Sequence, residues 1–229
     1  MIGLSTKCFP RKKWVQAFSK AGIKCVEINF ETSKFPTKVE YAKKEMKQLT
    51  TYFKISASTR AGRIFSDNKN LRKSQEQRII GEITICKAIK AKELVIKLDN
   101  EEFHKRTTLN FVKRLNRRAN FNGVQTLIEN NSTGRFSNTI DMDFITTQAR
   151  GSGICLNTRN LERSGHDWEE FVKPLNTKIK YAHVTRQTKP ELITLLKKEC
   201  NIKKWIINDD NLENAIKTLQ FLTIHGVKL

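Results

Sequence analysis

The chain has 229 residues, of which 38% are hydrophobic, enough for one substantial core and too many for a disordered chain. Lys and Arg number 43 against 23 Asp and Glu, a formal charge of +20 whose positive field attracts phosphates and polynucleotides. No apolar run approaches the roughly 20 residues a bilayer requires, and the opening MIGLSTKCFP lacks the regions of a secretory leader, so a soluble cytoplasmic protein is expected.

Eight short apolar or β-branched runs alternate with amphipathic stretches. IGLSTKC comes first, followed by a stretch in which Trp14 and Phe18 pair at helical spacing and which ends at Gly22. KCVEINF and FKISAST follow, and then Ile79, Ile83, Cys86 and Ile89 form one helical stripe ahead of ELVIKLD. The basic segment KRTTLNFVKRLNRR leads through Gly123 to VQTLIEN, and Gly151 precedes SGICLNT; such glycines suit the left-handed ends of helices. After IKYAHVT, Thr188 and Glu191 are spaced as a capping box around Pro190, ahead of a stripe of Leu192, Leu195 and Leu196. KKWIIND and a last stripe of Leu212, Ile216 and Leu219 complete the pattern.

Strict alternation of strand and helix predicts a parallel sheet, and eight units predict a closed (β/α)8 TIM barrel, one domain over residues 1–229. An open doubly wound sheet is the alternative. The five cysteines (Cys8, Cys25, Cys86, Cys155, Cys200) are odd in number and form no CxxC pair, which argues against zinc ribbons and disulfide frameworks. Three of them, Cys25, Cys86 and Cys155, lie inside apolar runs and are expected to pack as small core residues.

Barrel chemistry collects at the C-terminal ends of the strands. Side-chain alternation places Lys7, Glu27, Ser58, Lys97, Glu129, Asn157, His183 and either Asn208 or Asp209 last inside the lumen. Arg60, Arg63, Asn131, Arg135, Arg159, Asn160 and Arg186 come just beyond. A polar mouth rich in guanidinium is therefore expected, one that would hold an anion such as phosphate. Lys97 and Glu129 are placed to pair across neighbouring strands; alternatively, Lys97 is a catalytic amine.

The opening IGLST followed by CVEINF resembles the start of xylose isomerase-like barrels, which include sugar isomerases and epimerases and the endonuclease IV group. LIENN resembles that superfamily's fifth-strand motif of metal-binding Glu and following Asn. CLNTRN stands where the family reads Leu-Asp-Thr-Gly-His, and YAHVTR matches its seventh-strand His-x-x-Asp motif. The resemblance implies that Glu129 and His183 are metal ligands, with Asn208 or Asp209 at the eighth-strand ligand position. It also puts Asn157 in place of an Asp ligand, and Arg186 in place of the motif's Asp. Ser58 and Lys97 occupy positions that are His in the endonuclease IV group, and Glu27 fits a second-strand Glu near substrate. A single Mn²⁺ or Mg²⁺ on Glu129, His183 and Asp209 is one expectation, and a lumen without metal is the other. With four histidines in the chain, a three-zinc cluster is not expected.

By this resemblance the expected function is that of a sugar or sugar phosphate isomerase or epimerase-like barrel. It would bind a small anionic ligand through Lys7, Ser58, Arg60, Asn131, Asn157, Arg159 and Arg186, with catalysis lost or altered. Any surviving catalysis would rest on Glu27 and Glu129 for proton transfer, His183 as ligand or electrophile, and Lys97 as positive charge. The rival is a non-catalytic barrel binding nucleic acid through basic surfaces such as Lys105, Arg106, Lys113, Arg114, Arg117 and Arg118.

Overall fold

The computed structural model describes residues 1–8, 19–31, 39–61, 68–99 and 104–229. Trp14, Phe18 and Arg63 lie outside the described residues. All eight apolar runs are strands: β1 (Ile2–Ser5), β2 (Cys25–Asn29), β3 (Lys54–Ala61), β4 (Glu93–Leu98), β5 (Gln125–Glu129), β6 (Gly153–Asn157), β7 (Ile179–Val184) and β8 (Lys204–Ile207). They pair in parallel in chain order, and β1 closes on β8, giving the expected barrel with no open edge. The helices are α1 (Val39–Tyr52), α2 (Lys69–Ala88), α3 (Lys105–Phe121), α4 (Thr139–Gln148), α5 (Thr158–Ser164), α6 (Trp168–Leu175), α7 (Pro190–Glu199) and α8 (Leu212–Ile224).

These sequences fold this way because the strands are buried on both faces. One face packs the helix layer, where Leu4, Ile28, Ile96, Ile128 and Leu156 meet Ile79, Ile83 and Cys86 of α2 and their equivalents. The other face fills the lumen with a separate cluster of Cys25, Val95, Leu127, Cys155, Tyr181 and Ile206. Gly3 on β1 makes room for this filling. A Cβ there would lie 2.7 Å from Ile206 Cδ1 and 2.9 Å from Cys25 Cβ. Gly3→Ala is therefore expected to cost about 1–3 kcal/mol through overpacking, read as a lower urea midpoint at unchanged slope. An unchanged midpoint would show that the lumen yields at this point.

Helix ends follow local chemistry. Asn68, Asn138, Asn157, Asp167 and Asn211 cap α2, α4, α5, α6 and α8 with side-chain oxygens on early backbone N–H groups. Gly22, Gly123 and Gly151 have positive φ, as their placement predicts. Two local expectations differ from the structure. The Thr188–Glu191 capping box is not formed: Lys189 is the N-cap of α7, and the Thr188 hydroxyl instead accepts from Thr185 N–H and bonds Thr158 at 2.6 Å. The inward stripe of α8 is Ala215, Thr218 and Leu222, while Leu212 and Ile216 are exposed. Thr218 must face inward because its hydroxyl donates to Asp209 Oδ2 at 2.6 Å, which rotates the helix away from its most apolar face.

Candidate active site

At the C-terminal end of the lumen, one imidazole stands between two carboxylates. His183 on β7 places Nε2 2.9 Å from Glu27 Oε2 on β2, and Nδ1 3.1 Å from Glu129 Oε2 on β5. The first contact is a hydrogen bond. The second is a close charge contact off the hydrogen-bonding direction, which leaves Nδ1 without a bonded partner. All three residues are buried, Glu27 completely. The pairing of β6 with β7 shifts register at Ile154 and Cys155, and this irregularity lies directly below His183.

Burial works against a charged imidazole, but the neighbouring Cys155, Glu27 and Glu129 hold the His183 pKa well above its ordinary value. Burial also pushes the Cys155 thiol up to about 11. Burial acts to raise the pKa of Glu129, yet the result is a lowered value, because His183 attracts its charge and Asn157 donates to it. The array is thus an imidazolium clamped by two carboxylates.

Asn157, the last residue of β6, has two tasks. Its Oδ1 accepts the backbone N–H of Asn160, capping α5, and its Nδ2 donates to Glu129 Oε1 at 2.9 Å. A backbone N–H can only donate, so the cap fixes the amide orientation and turns the NH₂ group toward the carboxylate. Asn130 accepts from Asn157 N–H at 2.6 Å, and Asn131 Nδ2 donates to the Leu98 carbonyl at 2.6 Å. The two asparagines of LIENN therefore tie the ends of β4, β5 and β6 together.

The other expected site residues divide by position. Ser58 is buried near the lumen end of β3, with its hydroxyl unpartnered, and Lys97 is half-buried at the end of β4. Lys97 does not form the expected ion pair with Glu129, whose carboxylate is taken by His183 and Asn157. At β8, alternation from Lys204 through Ile206 places Asn208 on the lumen side, and its Oδ1 is buried without a partner. Asp209 is turned away: its carboxylate accepts the Arg186 N–H and the Thr218 hydroxyl, so it is not beside Glu129 and His183 as a ligand.

The expected convergence of arginines is not what the structure has. Arg60 pairs with Asp99 at 2.6 Å, Arg135 lies 3.8 Å from Asp141, and the exposed Arg186 reaches Asn214 on α8. Each guanidinium has a neighbour on its own stretch of rim. Arg159 alone of these four presents a buried Nε with no partner. Lys7 is drawn to Asp210 at 2.6 Å. Residues that strand-end reasoning passed over are Ser5, whose register partner is Glu27, and Cys155, which lies against His183.

Among the described residues no three His, Cys, Asp or Glu side chains are grouped to hold a metal. Glu129 meets an amide NH₂ where a cation would need an anionic ligand, and Asn208 offers only a neutral oxygen.

Comparisons with known proteins bear on the fold. No protein-family model matches the sequence, and no curated protein matches it significantly. Solved structures do match. The zinc-bound IOLI protein superposes with a TM-score of 0.80 at 14% identity, covering 99% of this chain and 97% of that one. D-allulose 3-epimerase from Methylomonas sp., in complex with D-allulose, gives 0.79 at 12% identity over 98% and 96%. These likenesses show the fold, a closed (β/α)8 barrel of the kind seen in solved sugar epimerases and a xylose isomerase domain protein. A probable 3-DHS dehydratase from Bacillus anthracis also matches, with a TM-score of 0.75 at 11% identity over 97% and 98%. Structures with this barrel thus carry more than one chemistry, and function has to be argued from the site. No helix among the described residues is long and apolar enough to cross a membrane.

Proposed function

We propose that this xylose isomerase-like barrel binds a small anionic sugar, or sugar phosphate, at its mouth. There it moves a proton at the carbon beside the ligand's carbonyl, without a resident divalent ion. The observation that carries this reading is a set of buried polar atoms without a hydrogen bond: Glu27 Oε1, Ser58 Oγ, Asn208 Oδ1 and Arg159 Nε. Unpaired buried polar atoms are rare because each costs desolvation, and a hydroxyl-rich ligand would satisfy these. In this reading Glu129, the more exposed of the two carboxylates, takes the proton. The imidazolium behind it keeps Glu129 ionised, and Lys97 supplies positive charge where the enediolate oxygen develops.

The test is solvent exchange. Incubating the protein with pentulose and hexulose phosphates in D₂O is expected to put deuterium on the carbon next to the carbonyl, followed by proton NMR. Glu129→Gln should slow this by roughly 10²–10⁴-fold. No exchange, together with no thermal stabilisation by any sugar phosphate, would sink the proposal.

A second reading rests on one surface. Lys105, Arg106, Lys113, Arg114, Arg117 and Arg118 are all exposed on α3, with Arg114 paired to Glu76. On that reading the face binds a polynucleotide, with an affinity that falls steeply with salt and with Arg117→Ala and Arg118→Ala.

A further inference from the structure

The opposite, N-terminal end of the barrel holds a cavity of about 460 Å³, within the size range of small-molecule sites. Strand starts and the turns before them build it: Lys54 opens β3, Lys92 precedes β4, and Lys203 precedes β8. Their backbones are pinned to neighbouring strands through Lys24, Ile55 and Lys180 carbonyls, so the positions of the lysines are fixed at the Cα level. Lys204 is almost completely buried, 2.8 Å from Glu93 and 5.0 Å above the Tyr181 ring. That pair neutralises the one carboxylate of the lining and leaves the rim lysines in excess.

Two further observations point to an occupant. Tyr181 lines this cavity, and its buried hydroxyl lies beside the Glu93 carboxylate without a hydrogen bond of good geometry to it. Lys90, also in the lining, adopts φ +58° just past the end of α2. Its neighbour Ala91 closes the turn onto the Cys86 carbonyl at 2.8 Å, a motif whose left-handed position favours glycine. Among the described residues every other positive-φ position is a glycine. A lysine seated against that backbone preference, beside a basic cavity, fits a charge-binding role. The wall between the lysines is apolar, through Phe53 and Ile89.

We propose that this cavity is a second binding site, for a phosphate-bearing organic anion of about mononucleotide size. The phosphate meets the lysine rim and the Tyr181 hydroxyl, and the organic body lies on Phe53 and Ile89. The site is independent of the proposal for the mouth, which lies at the other end of the strands. Barrel chemistry sits at the C-terminal face, so this end binds and does not react.

Isothermal titration of the purified protein with AMP, glucose 6-phosphate, pyrophosphate and adenosine tests it. AMP is expected to bind saturably below millimolar concentration, and the other three at least tenfold more weakly. Lys92→Glu with Lys203→Glu should weaken AMP more than tenfold, whereas Lys113→Glu on α3 should not. Lys90→Gly should weaken AMP several-fold while raising the melting temperature, a combination that general destabilisation does not give. Tyr181→Phe should weaken AMP with the fold intact. Three results would overturn the site: no saturable AMP binding, equal weakening by Lys113→Glu, or pyrophosphate binding as tightly as AMP.

Discussion

Replacing His183 by Leu is expected to cost about 3–5 kcal/mol of folding stability at pH 7, the range for stranding buried charges without their partner. The substitution nearly preserves volume, so lost packing is a small part of that figure. What it removes is the positive partner of Glu27, which is completely buried, and the main attraction on Glu129. The wild-type array also sets a pH profile. His183 is held above its ordinary 6.5, so its contribution is complete below that value and is lost as pH rises through the folded-state pKa. Glu129 is held below its ordinary 4.5, so its contribution is complete above that value and is lost as pH falls through its own folded-state pKa. Support is therefore greatest between these two ordinary values. Urea denaturation across pH should show the wild type declining on the alkaline side, and His183→Leu lacking that decline and recovering relative to wild type at pH 4. A His183→Leu protein within 1 kcal/mol of wild type at pH 7 would mean that the three groups are not coupled.

The second large effect is a gain of function in metal binding. Placing carboxylates at Asn157 and Asn208 (N157D with N208E) is expected to tighten Mn²⁺ binding by about 100-fold or more, because ligand charge sets affinity at oxygen-rich sites. Without metal, the double variant carries four carboxylates around one imidazole and should melt below the wild type. Added Mn²⁺ should reverse that loss by linkage. Asp at 157 keeps an oxygen for the Asn160 N–H, so the α5 cap survives and the effect reads on the lumen alone. If Mn²⁺ binds the wild type as tightly as the variant, the neutral amides are not what limits the site.

The fold was legible because strand runs buried on both faces are loud in sequence, and eight of them in alternation leave few topologies. The lumen was legible as far as period two carries: Glu27, Ser58, Glu129, Asn157 and His183 stand where alternation puts them. It fails one residue past a strand end, where the chain turns. That is why Asn208 and Asp209 could not be separated until Thr218 was seen to claim the Asp209 carboxylate. Arginines were the least legible, since a strand end gives the position of a Cα while a long flexible side chain goes to the nearest acceptor. Asp99, Asp141 and Asn214 are such acceptors, each brought close by another element. The lysine cavity is not legible in sequence because its members belong to strand starts and the turns before them, spread from Lys54 to Lys204, and only closure of the barrel makes them neighbours.

The seam between β1 and β8 joins Ile2 to Trp205 and Leu4 to Ile207. Because partners so far apart must wait for each other, the time course of synthesis matters as much as the final energy. At roughly 5–20 residues per second, on the order of ten to forty seconds separate the two halves of that ladder. Throughout that interval β1 is an unpaired edge, and each newly made strand is another, on a chain crowded by identical nascent copies along one message. Lysines and arginines outnumber acidic residues from the first strands onward and the excess grows to +20 over the whole chain, so growing chains repel each other before they can pair edge to edge. The same positive charge that lines the finished surface would thus also keep unfinished chains apart.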